Sequence, residues 1–111
     1  MKVLSIEQMT RLKELGVDVT PKEECLMYSS VGGDDYKLMY GQSVCEDDIK
    51  AFTLQDVIEL LPIENIDIRR NCHERWVISY KDEITFKSEF MIDAAYKMLI
   101  WVIENGYLKT K

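Results

Sequence analysis

The longest helical pattern of hydrophobic and polar positions lies near the C-terminus, from Ser88 to Asn105. The polar side chains gather on one narrow arc of its helical wheel: Glu89, Asp93, Lys97 and Glu104. Ser88 is a suitable N-cap, and Gly106 is placed to end the helix in a left-handed conformation. So wide an apolar surface is normally covered on more than one side. We therefore expect this helix to be the spine of the domain, covered by the domain's own sheet or partly by a partner.

Amphipathic spacing and capping residues predict two further helices. Residues 5–15 open with a capping box formed by Ser5 and Gln8. Residues 54–61 follow Thr53, whose hydroxyl is a good cap for the first turn. Both segments place apolar residues at helical spacing against charged ones, which is typical of a helix with one buried face.

Alternating apolar and polar residues predict five short strands. Their expected bounds, in chain order, are 26–31, 36–40, 66–70, 75–80 and 84–87. The first two form a hairpin around a Gly-Gly-Asp-Asp turn, with Tyr36, Leu38 and Tyr40 on one face of the second strand. The last three form a meander. Residues 41–50 are polar and acidic, and we expect them to be a surface loop.

The predicted element order is α-β-β-α-β-β-β-α. Hairpins that alternate with single helices favour an antiparallel sheet over a parallel one. We therefore expect an α+β fold with one antiparallel sheet of about five strands and helices packed on one face. With 111 residues, the chain has the length of a single domain, 1–111.

The chain is acidic, with a formal net charge of −6 at pH 7. Affinity for phosphate groups comes largely from Lys and Arg, so an acidic domain without a basic stripe is not expected to bind nucleic acid directly. We expect no secretory signal and no membrane span, because no apolar run reaches the roughly 20 residues that a span needs. The cysteines, three in number, form no Cys-x-x-Cys pair. They favour free thiols in a reducing cytoplasm.

Candidate chemistry is sparse in this sequence. His73 is the single histidine, and it adjoins Cys72 in a predicted turn, where neighbouring side chains rarely meet. His73 and the three cysteines have the right number of ligands for zinc but lack the paired spacing of structural zinc sites. The acidic segments Asp34-Asp35 and Glu46 to Asp48 do not fit a calcium loop. We therefore expect no catalytic residue, no metal site and no cofactor.

Three stretches of the sequence resemble a known group of proteins. They are IEQMTRLKELGVD (6–18), AFTLQDVIELLP (51–62) and DAAYKMLIWVIENGYL (93–108). They are similar to small hypothetical proteins of gut Bacteroidetes that are associated with phage or prophage regions. The matching stretches are mostly helices, so the resemblance assigns no site residue. It implies an accessory protein that acts by binding.

A protein-interaction domain is the function that these observations favour. The domain would be non-enzymatic and cytoplasmic, and would bind a protein partner or associate with itself. Its expected contacts are Ile100, Trp101 and Tyr107 on and after the last helix, or the exposed edge of the first hairpin.

Two alternatives stay open beside it. One is an acidic inhibitor whose segments Asp34-Asp35 and Glu46 to Asp48 mimic nucleic-acid phosphates towards a host protein. The other is a small metal or thiol protein that uses Cys72 and His73. Each needs residues that the sequence places in turns or loops.

Overall fold

The computed structural model describes residues 2–29, 36–42, 48–72, 75–81 and 83–106, except for the side chain of Ile63. Within these residues the chain forms three α-helices and six β-strands. The strands make two antiparallel sheets of three strands each, so the predicted α+β class with antiparallel strands is confirmed. Of the helices in the described part of the chain, none has the length and hydropathy that a membrane span requires.

The chain divides into two compact units, and the first comprises residues 4–52. Its elements are helix α1 (Ile6–Glu14) and strands β1 (Cys25–Ser29), β2 (Lys37–Gly41) and β3 (Ile49–Lys50). The strand order is β2-β1-β3, so β1 is central and the other two are edge strands. The most buried apolar side chains of this unit are Leu4, Met9, Leu12 and Met27.

The second unit comprises the described residues 2–3 and 53–106. Its elements are α2 (Leu54–Leu60), a short 3-10 helix (Ile63–Asn65), β4 (Ile66–Arg70), β5 (Trp76–Tyr80), β6 (Ile84–Ser88) and α3 (Met91–Glu104). The strands form the predicted meander, in the order β4-β5-β6. Helix α3 contacts β5, β6 and α2, so the helix expected to be the spine covers the sheet of its own unit. The prediction of one domain, 1–111, stays a prediction.

Both predicted helix starts in the first half of the chain are confirmed by their capping hydrogen bonds. Ser5 Oγ accepts from the amide of Gln8 at 3.2 Å, and Gln8 Oε1 accepts from the amide of Ser5 at 2.9 Å. Asp56 Oδ2 accepts from the amide of Thr53 at 2.9 Å, and Thr53 Oγ1 accepts from the amide of Asp56 at 3.3 Å. These reciprocal bonds satisfy amide groups that the first turn of a helix leaves unpaired.

The predicted single sheet of five strands is wrong. The hairpin and the meander belong to different sheets, and a further strand, β3, lies where a surface loop was expected. The amide of Ala51 donates to the carbonyl of Leu26 at 2.9 Å, and the amide of Lys50 donates to the carbonyl of Val19 at 2.8 Å. Because β3 is two residues long, it shows no alternation, and only its distant partners define it.

The predicted start of the last helix is also wrong. Ser88 is the last residue of β6, where it pairs with Trp76, and α3 begins at Met91. Phe90 occupies the N-cap position and makes no side-chain capping bond. Since β6 stays in register with β5 to its end, Ser88 belongs to the strand ladder rather than to the helix. The end of the helix is as predicted, because Gly106 has a φ of 77°.

Candidate interaction surface

Strand β2 is exposed along almost its whole length, although it is rich in large apolar residues. The exposed fractions are 47% for Leu38 and Met39, 68% for Tyr40, and 37% for Tyr36, which precedes the strand. A sheet normally buries the side chains of at least one face. Exposed apolar residues grouped on one element, unlike single ones, are typical of an interaction site.

The pairing of β1 with β2 shows which side chains share a face of the sheet. Leu38 lies opposite Tyr28, and Tyr40 lies opposite Leu26. Paired residues project to the same face, so these four side chains form one apolar and aromatic face. The predicted shared face of Leu38 and Tyr40 agrees with this register. Met39 projects to the other face of the sheet. Strand β2 therefore presents apolar side chains on both faces.

Two residues of β2 direct their backbone N–H and C=O groups towards the open edge of the sheet. The carbonyl of Leu26 accepts from the amide of Ala51, so Leu26 directs its backbone groups towards β3. Antiparallel strands alternate these directions, and Leu26 is paired with Tyr40. It follows that Met39 bonds to β1, while Leu38 and Tyr40 direct their N–H and C=O groups outward. No strand among the described residues pairs with this side of β2.

We call this region the β2 surface. It consists of the side chains of Tyr36, Leu38, Met39 and Tyr40, together with the outward backbone groups of Leu38 and Tyr40. Lys37 is the one charged side chain within β2. A strand edge of this kind is a template for pairing with another chain.

The edge strands of the other sheet differ from β2 in the side chains that they expose. The exposed residues of β4 are Asp67, Arg69 and Arg70, and those of β6 are Thr85 and Lys87. Charged side chains on an edge strand oppose pairing with a further chain. Among the edge strands of five residues that the structure describes, β2 is therefore the one that leaves its edge apolar.

Tyr28 anchors the face on which Leu38 and Tyr40 lie. Its hydroxyl donates to the carbonyl of Leu4 at 2.6 Å. Burial, and next the negative charge of Glu7, raise the pKa of Tyr28 above its usual value, so the phenol stays protonated as the donor. The ring of Tyr28 is thus held in place beside Leu38, and the β2 surface has a fixed neighbour on β1.

The predicted contact residues of the last helix lie elsewhere. Ile100 and Trp101 are half-buried on α3, and Trp101 packs on the ring of Tyr80 with the ring centroids 5.5 Å apart. Tyr107 lies outside the described residues. Because α3 contacts the sheet of its own unit, much of its wide apolar surface is covered there. The assignment of these three residues as partner contacts stays a prediction.

The residues of the thiol hypothesis are only partly described. Cys72 is exposed and Cys25 is half-buried, while Cys45 and His73 lie outside the described residues. In the described ranges, no group of three or more His, Cys, Asp or Glu side chains is arranged to hold a metal ion. Among the described residues, the exposed Cys72 thiol is therefore not part of such a group.

The acidic residues of the inhibitor hypothesis are mostly outside the described part of the chain. This holds for Asp34 and Asp35 and for Glu46 and Asp47. Asp48 was expected to be a solvated loop residue, and this is wrong, because it is 4% exposed. Asp48 directly precedes β3, whose pairing with β1 draws this end of the segment inward. A side chain so buried presents no charge to a basic partner.

A depression of about 300 Å³ lies in the first unit, lined by Pro21, Lys22, Glu23 and Gln42. The ammonium group of Lys22 pairs with the carboxylate of Asp18 at 3.0 Å. That bond, with a second from the Thr20 amide, lowers the pKa of Asp18 to about 2. The charge of Lys22 is thus compensated by Asp18, and the described residues that line the depression form no cluster of groups that points to a ligand.

Comparison of the chain with family models, with curated proteins and with solved structures found no significant match. The resemblance to phage-associated proteins of gut Bacteroidetes therefore stays a prediction.

Proposed function

We propose that this chain is a small, non-enzymatic, cytoplasmic protein-interaction domain that binds its partner through the β2 surface. The exposed apolar edge carries this proposal. Leu38, Met39 and Tyr40 are large apolar side chains left in solvent by a domain that has buried comparable residues elsewhere. Covering them with a partner removes apolar area from water, which favours association.

The mode of binding that fits this surface is strand addition. An extended segment of a partner would pair with β2 through the outward N–H and C=O groups of Leu38 and Tyr40. Its side chains would then meet Leu38 and Tyr40 on one face and Met39 on the other. The backbone bonds supply affinity, and the apolar side chains select the partner.

The resemblance to phage-associated proteins and the acidic composition support a proposal about the biological setting of the domain. As an accessory protein of a phage or mobile element, the domain would act on a protein rather than on nucleic acid, since its net charge is −6. The phosphate-mimic hypothesis loses support from the burial of Asp48. The thiol hypothesis has in its favour only the exposure of Cys72.

Site-specific photo-crosslinking tests the proposal. A photoreactive amino acid replaces Tyr40 in one variant and Phe90 in a matched one, because Phe90 is also a large, half-exposed apolar residue, at 51%. Both variants are irradiated in the cells that express the protein. We expect protein adducts, to another protein or to a second copy, at position 40 and only background labelling at position 90. Equal labelling of the two positions would overturn the proposal.

A further inference from the structure

We infer that the β2 surface binds the β2 surface of a second copy. In this dimer the two β2 strands pair antiparallel around a two-fold axis at Met39, and two three-stranded sheets become one of six strands. Because it names the partner of the same surface, this inference rests on the proposed function.

The outward groups of β2 define the register of the pair. In an antiparallel ladder, two residues that face each other exchange both of their backbone bonds. Leu38 and Tyr40 are the outward-facing residues, so Leu38 of one copy bonds to Tyr40 of the other, and the reverse pair follows by symmetry. This register uses the outward groups of both residues in both copies. It places Met39 opposite Met39 of the second copy, in the closer, non-bonded type of pair.

The side chains of β2 are complementary to themselves. Within Leu38-Met39-Tyr40 every position is apolar, so a two-fold pairing sets apolar against apolar without a second sequence. Leu38 meets Tyr40 on one face, which extends the face that Leu26 and Tyr28 already form on β1. An isologous contact needs this kind of self-matching surface.

The charges of β2 are also compatible with a second copy at this edge. In the proposed register Lys37 lies opposite Gly41 of the second copy, so the two lysines are at opposite ends of the paired strands. The described residues 36–42 contain no acidic side chain, although the chain as a whole carries −6. The edge strand β4, by contrast, exposes Asp67, Arg69 and Arg70, so its edge is charged rather than apolar.

The dimer is expected to be weak. Standard interfaces bring about 20–30 residues from each partner, and a single strand of five residues supplies far fewer. We therefore expect a reversible dimer with a Kd on the order of 100 µM. General repulsion between two acidic chains weakens it further at low salt, so added salt should strengthen the association.

Sedimentation equilibrium of the full chain over a range of concentrations around the expected Kd tests the association. The variant Leu38→Ser/Tyr40→Ser removes both outward apolar side chains, and Phe90→Ser is its matched control. We expect the double variant to weaken the dimer at least about tenfold and the control to leave it unchanged. Unchanged urea midpoints establish that both variants are folded. A wild-type chain that stays monomeric at about ten times the expected Kd would overturn the inference, as would a dimer that survives the double substitution.

Disulfide trapping tests the register. Met39→Cys places two thiols opposite each other across the two-fold axis, whereas Lys37→Cys places them at opposite ends of the pair. Under mild oxidation we expect a 39–39 disulfide, identified by peptide mapping, to form at least about tenfold faster than a 37–37 disulfide. Equal rates would overturn the inference. A monomeric chain that still crosslinks another protein through position 40 also overturns it, but leaves the proposed function standing.

Discussion

Strands β2 and β5 are similar in length and in apolar content but opposite in environment. Both have five residues, KLMYG in β2 and WVISY in β5, and both are rich in large apolar side chains. Strand β5 is central in its sheet, and four of its residues are buried. Strand β2 is an edge strand, and four of its residues are exposed. The position of a strand in its sheet, rather than its composition, therefore decides how its apolar residues are used.

The packing of β5 accounts for its buried apolar residues. Ile78 lies between Ile68 of β4 and Phe86 of β6, and α3 contacts the same sheet. The apolar side chains of β5 are thus buried, except for that of Trp76, which is half-buried. Among the described residues, no strand covers the outer edge of β2, and its three large apolar side chains stay 47–68% exposed. This difference favours a binding role for them.

Stability should respond very differently to truncation in the two strands. Ile78→Ala leaves a cavity at a site that is 1% exposed, and we expect it to lower the free energy of unfolding by about 2–5 kcal/mol. Leu38→Ala, at a site that is 47% exposed, should change it by no more than about 0.5 kcal/mol. Urea denaturation of both variants, at a concentration below that of self-association, measures the difference.

A large loss of stability in Leu38→Ala would break the comparison. It would mean that β2 is packed in solution and that its exposed side chains are part of the core. A small loss in Ile78→Ala would break it from the other side, because the centre of β5 would then tolerate a cavity.

Tyr28 sharpens the comparison, because it shares a face with Leu38 but is fixed to the unit by a hydrogen bond. Tyr28→Phe removes the donor to the Leu4 carbonyl, and we expect a loss of about 0.5–1.5 kcal/mol in the free energy of unfolding at neutral pH. The measurement is urea denaturation, with Tyr40→Phe as the matched control at a tyrosine that is 68% exposed.

The pH dependence of the same variant has a defined sign. The pKa of Tyr28 is raised in the folded chain above 10.0, the value of an unperturbed tyrosine. Its contribution is therefore fully present below about pH 10 and is lost as the pH rises through the higher folded value. We expect the wild type and Tyr28→Phe to converge in stability at alkaline pH. A constant difference between them would show that the hydroxyl is not held as the donor.

Local signals in the sequence predicted the local features of the fold. Ser5 and Thr53 were identified as helix caps, because a capping box is formed by two residues that are three positions apart in the sequence. The shared face of Leu38 and Tyr40 followed from period-two alternation within β2, and the register of the hairpin then adds Leu26 and Tyr28 to that face. Features of this kind depend on residues that are close in the chain.

Features that depend on distant residues were not predictable in the same way. The division into two sheets and the strand Ile49–Lys50 are set by partners more than twenty residues away, such as Tyr28. Ser88 had the identity of a cap, but strand pairing with Trp76 competes for it. The exposure of β2 depends on what covers each face, and alternation gives no information on that. The run Leu38-Met39-Tyr40, apolar at three consecutive positions, was the one available signal.

A small effect is also expected at an exposed contact in the unit that carries β2. Asp18 and Lys22 form an ion pair at 3.0 Å, with side chains that are 59% and 75% exposed. Hydrogen bonds from Lys22 and then from the Thr20 amide lower the pKa of Asp18 from 3.8 to about 2. The stability that this carboxylate contributes is therefore present above about pH 4 and is lost as the pH falls towards 2. Solvent screens so exposed a pair. We therefore expect Asp18→Asn to lower the free energy of unfolding by only about 0.2–1 kcal/mol at neutral pH.

Acid titration of the wild type and Asp18→Asn by urea denaturation measures this effect, and added salt should reduce it. The asparagine keeps an oxygen for the Thr20 amide, so the variant isolates the charge. A small effect would show that the charge of this ion pair contributes little to the stability of its unit. An effect of Asp18→Asn as large as that of Ile78→Ala would contradict the small contribution expected for so exposed a pair.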